Sequence, residues 1–221
     1  MAQAIEHKTL REAVADALRE MIFSGELRAG DRLVEDRLAE RLGVSRNPIR
    51  EGIRAMEAIG LVEVVPRRGA YVASIDADDV QRIQEVRRVV EGWIVATAAE
   101  RHDAEDLARI DEWLATGAKA SRSRDRVLAT EAHRGFHLAL EAATKNQYVS
   151  VIMAPLRQRT ELVFSVLAGR PQGSHHWGEH QAIRDAVASR DAELARRLID
   201  EHIGNAMARF SLPEGHKNSG A

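Results

Sequence analysis

His133 and His137 stand four residues apart in HRGFH, so a helix over this stretch carries both imidazoles on one face. His180 and His202 each fall in a later segment with amphipathic helical spacing. Imidazoles projecting from three helices into one bundle interior are a means of holding a divalent metal. Spacing alone does not choose the ligands: in SHHWGEH, His176 and His180 make a competing pair. His7, His102 and His216 are expected to be incidental, in exposed or terminal positions.

A second constellation lies nearer the start of the chain. In LGVSRNPIREGIRAMEAIGLVEVVPRRG, arginines recur at 46, 50 and 54, and Ile49 and Ile53 take the other side. Arginine can donate two hydrogen bonds to guanine, and asparagine can pair with adenine. Arg46, Asn47 and Arg50 would read bases from the start of a helix. Ser45 and the free N–H groups beside it suit a phosphate. Arg68 and Gly69 would reach the DNA backbone or minor groove, and Arg54 phosphate or solvent. With Glu51 and Glu57 adjacent, such a stripe is on its own the pattern of a solvated face. The surrounding elements decide between the two.

Those elements read as follows. Thr9 with Glu12 is a capping-box pattern, and Leu10, Val14, Leu18, Met21 and Ile22 form one apolar face ending near Gly25. LRAGDRL is a turn. Val34 to Leu42 is a short helix, Gly43-Val44 a tight break, and Ser45 the cap of a helix running to about Ile59. Pro48 falls in its first turn, and Gly60 ends it. Val62–Val65 and Ala70–Ala73 are strands around Pro66-Arg67-Arg68-Gly69. The order is that of a winged helix-turn-helix with a small β-hairpin wing. From Asp76 the pattern is helical, over about 77–101, 104–118, 123–143, 147–168, 175–189 and 192–210. Asp76, Asp103 and Asp191 take cap positions, and Pro155 is expected to kink the fourth helix. The fold expected is mainly α: a winged domain over 1–74, an antiparallel all-α bundle over 75–212 and a disordered tail over 213–221.

Composition bounds the rest. The chain has 221 residues, 44% hydrophobic and 4% aromatic, enough for a real core. It has no cysteine, which excludes disulfides and thiolate metal sites. MAQAIEHK holds no apolar run, and no window is long enough to span a membrane, so a cytoplasmic location is expected. Net charge is −2, which does not favour nucleic acid. Any positive charge must be local, as between Val44 and Arg68, where five arginines face three glutamates.

The stretch LREAVADALREMIFSGELRAGDRLVEDRLAERLGVSRNPIREGIRAMEAIGLVEVVPRRGAYVA resembles the winged helix of the GntR family of bacterial transcription regulators. The helical remainder resembles the effector domain of its FadR-type (FCD) subfamily, and together the two likenesses cover about Thr9 to Phe210. The resemblance implies a homodimer that binds a palindromic operator and answers to a small metabolite. By position it puts DNA contacts on Arg37, Arg46, Asn47, Arg50 and Gly69. From the residues alone Arg37 is only a surface position. The subfamily carries Asp-x-x-Phe-His on one helix and single histidines on two later ones. HRGFH matches with His133 in place of the aspartate, EHQAIRDAV supplies His180, and IDEHI supplies His202. An all-nitrogen set would favour zinc, nickel or copper. The resemblance also places Arg87, in EVRRVVEG, in an effector cavity, where a guanidinium beside a metal suits a small organic acid. Without the resemblance, Arg87 reads as a surface ion pair with Glu91 at i+4.

Taken together, these features lead to a transcription regulator, expected to be a repressor, rather than an enzyme. One alternative is a metal-responsive regulator built on the same residues. Another is a metal-dependent hydrolase fused to a DNA-binding arm, although no HExxH arrangement supplies a general base.

Overall fold

The computed structural model describes residues 9–74, 77–167 and 177–208. The chain divides into two compact units, Met1–Asp76 with Pro155–Gly169, and Ala77–Ala154 with Arg170–Ala221. The expected disordered tail, His7, His176, His216 and the Asp76 cap lie outside the described residues.

In the first unit, α1 (Leu10–Phe23) opens on Thr9, whose side chain forms the expected capping box with Glu12. It buries Val14, Leu18, Met21 and Ile22. Next come α2 (Glu35–Leu42) and α3 (Arg46–Ala58), separated by Gly43 in the left-handed conformation, φ 65°. Gly43 makes the sharp reversal that sets α3 against α1 and α2. Gly52 lets the helices approach: a Cβ there would meet Val14 Cγ1 at 2.7 Å. Ile49, Ile53 and Met56 turn inward, so Arg46, Asn47, Arg50 and Arg54 face solvent.

The wing has one strand more than the sequence reading supplied. Within LRAGDRL, β1 (Arg32–Leu33) pairs antiparallel with β3 (Gly69–Val72), which also pairs with β2 (Val62–Val65), in the order β1-β3-β2. Two residues are too few to show an alternating pattern, and β1 exists only because β3 offers it an edge. Leu162 also belongs to this unit's core, and Arg159 donates to the Gly60 carbonyl.

The second unit consists of α4 (Ala77–Arg101), α5 (Ala104–Ser123), α6 (Arg126–Ala143), the first part of α7 (Tyr148–Leu167), α8 (Trp177–Ala188) and α9 (Ala192–Ala208). Here α4 packs against α6, α8 and α9, while α5 packs against α6 and α8. Asp103 forms a capping box with Asp106, and Asp191 accepts from the Leu194 N–H at 2.9 Å. α5 outruns its expected end because Gly117 remains helical, with Trp177 packed on its α-carbon. α7 continues past Pro155, where the chain passes from one unit to the other. His102, expected to be exposed, is buried: its Nδ1 lies 3.0 Å from the Ala98 carbonyl oxygen, and Arg190 binds its own carbonyl.

Candidate DNA face and histidine site

On the first unit, α3 presents its N-terminal turn without a side-chain cap. Ser45 occupies the N-cap position, but its hydroxyl makes no capping bond. That leaves the turn suited to an anion. Arg46, Asn47, Arg50 and Arg37 are all exposed. The two arginines are held by α2: Glu35 accepts from Arg50 Nε at 2.8 and 3.0 Å and from Arg46 Nη2 at 3.4 Å. Asp36 Oδ1 lies 3.1 Å from Arg46 Nε. The hydrogen bond from Arg50 holds the Glu35 carboxyl below its ordinary range, against the opposing effect of burial and with help from the charges of Arg50 and Arg46.

The wing turn places Arg68 and Gly69 at an exposed tip, with the Arg68 N–H on the Val65 carbonyl at 3.0 Å. Gly69 has φ 108°, which only glycine adopts without strain. A Cβ there would lie 3.4 Å from Arg32 Nε, so the β1 arginine sits against the wing tip. Arg32 was not among the residues the sequence reading singled out. Its only signal was membership of a turn.

In the second unit, His133 and His137 from α6, His180 from α8 and His202 from α9 come together. One ring nitrogen from each lies within 4.8 Å of the others. His133 Nε2 and His137 Nε2 are 3.3 Å apart. Two nitrogens bound to one tetrahedral zinc at about 2.0–2.1 Å would be separated by about 3.3–3.4 Å. The donor set therefore fits a divalent transition ion, with the His133–His137 pair at that separation and one nitrogen of each of the four rings within 4.8 Å of the others. His180 and His202 are buried, and His180 packs edge-on against Phe136. Gly135, between the α6 histidines, makes room for Trp113: a Cβ there would collide with the indole at 2.2 Å.

Two carboxylates stand behind this cluster. Glu179 Oε2 lies 2.8 Å from His202 Nδ1, and Asn205 Nδ2 donates to Glu179 Oε1 at 3.2 Å. With its proton on Nδ1, His202 donates to Glu179 and keeps the Nε2 lone pair for a ligand. Burial lowers the His202 pKa, and Glu179 opposes that shift. Glu91 Oε2 lies 3.6 Å from His137 Nδ1. Its other oxygen accepts from Arg87 Nε at 2.7 Å. The i+4 pair of Arg87 and Glu91 thus exists, but it is buried beside the histidines instead of lying on the surface. Arg87 Nη1 is buried and has no hydrogen-bond partner among the described residues. Such a donor calls for an acceptor.

Comparison with known proteins identifies the two domains. Residues 10–72 match the bacterial regulatory proteins of the gntR family, and residues 82–205 match the FCD domain. The chain belongs to the GntR family, FCD type. It is a DNA-binding transcription regulator. The HTH-type transcriptional regulator LutR of Bacillus subtilis is 29% identical over 208 residues, 84% of this chain and 94% of LutR. The Glc operon transcriptional activator of Escherichia coli K12 is 27% identical over 225 residues, 90% of this chain and 87% of that one. Among solved structures, E. coli McbR/YncC aligns with a TM-score of 0.78 at 24% identity, covering 92% of this chain and 98% of its own. A GntR regulator from Rhodococcus sp. RHA1 aligns at 0.75 and 28% identity, covering 90% and 96%.

GntR regulators bind DNA, and FCD domains bind small-molecule effectors. In this regulator the winged helix presents the arginines of α3, and the bundle gathers the four histidines with Arg87. Glu35, Glu91 and Glu179 are the members that sequence reasoning did not assign to these sites. Glu179 is next to His180 in sequence, but its pairing with His202 depends on how α8 meets α9.

Proposed function

We propose that this regulator is a cytoplasmic homodimeric repressor, that its winged helices read a palindromic operator, and that a small carboxylate effector releases it. The winged domain, within 1–74, supplies Arg46, Asn47 and Arg50 to base edges. Arg37, Ser45, Arg68 and Gly69 serve the phosphates. The bundle, within 75–212, senses the effector. An exposed apolar stripe on α4 (Val86, Val89 and Trp93) supports the homodimer, since such a face is normally covered.

The observation that carries the sensing role is the convergence of four imidazoles beside a buried guanidinium with an unsatisfied Nη1. His133, His137, His180 and His202 would hold a zinc or nickel ion. Such an ion would offer a Lewis-acidic centre, and carboxylate oxygens would bind it by expanding its coordination beyond the four imidazoles. Arg87 Nη1 would donate to the same carboxylate, while Glu91 keeps Arg87 in place. Glu91 and Glu179 are engaged with Arg87 and with His202 and Asn205, which leaves them ill-suited to act as a hydrolytic general base. Effector binding would shift the population of operator-competent dimers.

Metal content per chain, measured by mass spectrometry on tag-free protein, tests this beside a His137→Ala, His180→Ala double variant. About one ion per chain, absent from the variant, is the expected result. An apo wild type, even after incubation with zinc or nickel, would remove the metal from this reading. Operator release by small carboxylates, followed by fluorescence anisotropy, tests the effector class. Insensitivity to all of them would overturn it.

A further inference from the structure

The arginines expected to read the operator are not free: a carboxylate of the same domain already holds them. Glu35, at the first position of α2, engages Arg50 through both oxygens and Arg46 through one. Asp36 takes the remaining side of Arg46. The contacts bridge two helices and bring together residues 11 and 15 apart in sequence. The arginine side chains are 54–56% exposed, so solvent or DNA can reach them, whereas Glu35 is 29% exposed. The Arg50 pKa is raised and the Glu35 pKa lowered, each chiefly by their shared hydrogen bond.

We propose that Glu35 is a specificity-determining residue of this DNA-binding domain, acting as an internal competitor that denies Arg46 and Arg50 to any phosphate and yields them only to a matching base edge. This role of Glu35 rests on Arg46 and Arg50 being the reading residues. A phosphate attracts a guanidinium on every DNA sequence. It offers that guanidinium little that Glu35 does not already offer, since both are anionic oxygens. A guanine edge adds two directed hydrogen bonds in fixed geometry, which a mobile carboxylate does not reproduce. Glu35 also places a negative charge beside the DNA backbone, which weakens binding to all sequences alike. The net effect is to lower non-specific affinity more than operator affinity. Asp36 adds to this at Arg46 alone.

Exposed ion pairs are individually weak, because water screens them. With two arginines released and one repulsion removed, Glu35→Gln is expected to raise affinity for random duplex DNA roughly 3- to 10-fold. Operator affinity should change less than 3-fold, so the operator-to-random ratio falls. The slope of log K against log salt on random DNA should steepen by about one to two, as the freed arginines meet phosphates.

The experiment measures both affinities across a salt series for the full-length wild type, Glu35→Gln and Arg50→Ala. A ratio that falls because random-DNA affinity rises supports the proposal. A ratio that falls because operator affinity alone is lost overturns it, since Glu35 would then contact the operator directly or only position α3. A parallel loss on both DNAs, or no change on either, also overturns it. Arg50→Ala separates the two levels. If it leaves operator affinity intact, the assignment of the reading residues fails. If it weakens the operator while Glu35→Gln leaves the ratio untouched, only the role of Glu35 fails.

Discussion

Arg50–Glu35 in the winged domain and Arg87–Glu91 in the bundle are the same chemical pair at almost the same distance, 2.8 and 2.7 Å. Their surroundings differ. The first bridges two helices at the surface, and its arginine is 54% exposed. The second joins successive turns of α4, with both side chains 7% exposed. Water screens the first pair, so a matching base edge can take its arginine at low cost. The second has no solvent to replace a lost partner, so it acts as a fixed part of the bundle interior beside the histidines. One pair is built to be exchanged and the other to persist. That difference suits an exposed DNA-binding surface and a buried histidine cluster.

Glu91→Ala breaks the persistent pair and gives the largest expected effect. It leaves the Arg87 guanidinium buried without its carboxylate, and removing one member of a buried pair costs about 3–5 kcal/mol. Urea denaturation of the metal-free protein reads this directly. A loss below 1 kcal/mol would mean that water enters the site and that the two pairs do not differ as described. Next in size is Glu179→Gln, which keeps the shape but removes the carboxylate behind His202. Loss of such a partner lowers metal affinity about 10- to 100-fold. Competition with a chromogenic zinc chelator measures it. Unchanged affinity would show that Glu179 serves only the packing of α8 on α9.

On the exchangeable side, Arg54 lies one turn beyond Arg50 and is exposed. Arg54→Ala is expected to weaken binding to operator and random DNA alike and to lower the salt slope by about one. A loss confined to the operator would move Arg54 into the base-reading set.

How far the sequence revealed all this depended on the range of the interaction. Features fixed within four residues were legible: the Thr9–Glu12 and Asp103 caps, the Gly43 reversal and the shared face of His133 and His137. So were the long helices of the bundle, whose apolar periodicity runs over many turns. The Arg87–Glu91 pair was also visible from its spacing, but not its burial, because the burial comes from helices that lie far off in sequence. Bringing His180 and His202 to the α6 pair took the family resemblance. β1 was invisible because two residues carry no pattern. Glu35 was hidden because an acidic residue in the first turn of a helix already has a sufficient local reason, the helix dipole. Glu179 pairs with a histidine 23 residues away, a distance no local rule reaches.

The smallest expected effect concerns pH, and it divides the two regions once more. Hydrogen bonding to Arg50 holds the Glu35 carboxyl below its ordinary 4.5, so the exchangeable pair stays ionised throughout neutral and mildly acidic solution. His202 behaves differently. Burial lowers its pKa below the ordinary 6.5, so it stays neutral in the folded chain at a pH where the unfolded chain already binds a proton. The unfolded state then holds more protons, and stability falls as pH drops below about 6.5, by at most about 1.4 kcal/mol per pH unit from this group. Urea midpoints of metal-free protein between pH 7.5 and 5.5 should decline accordingly, and His202→Asn should flatten part of that decline. Metal-free operator affinity for the folded fraction should show no step from Glu35 over the same range. An operator step that vanished in Glu35→Gln would show that the arginines are held by a carboxyl that titrates, and the contrast between the two pairs would then be one of degree.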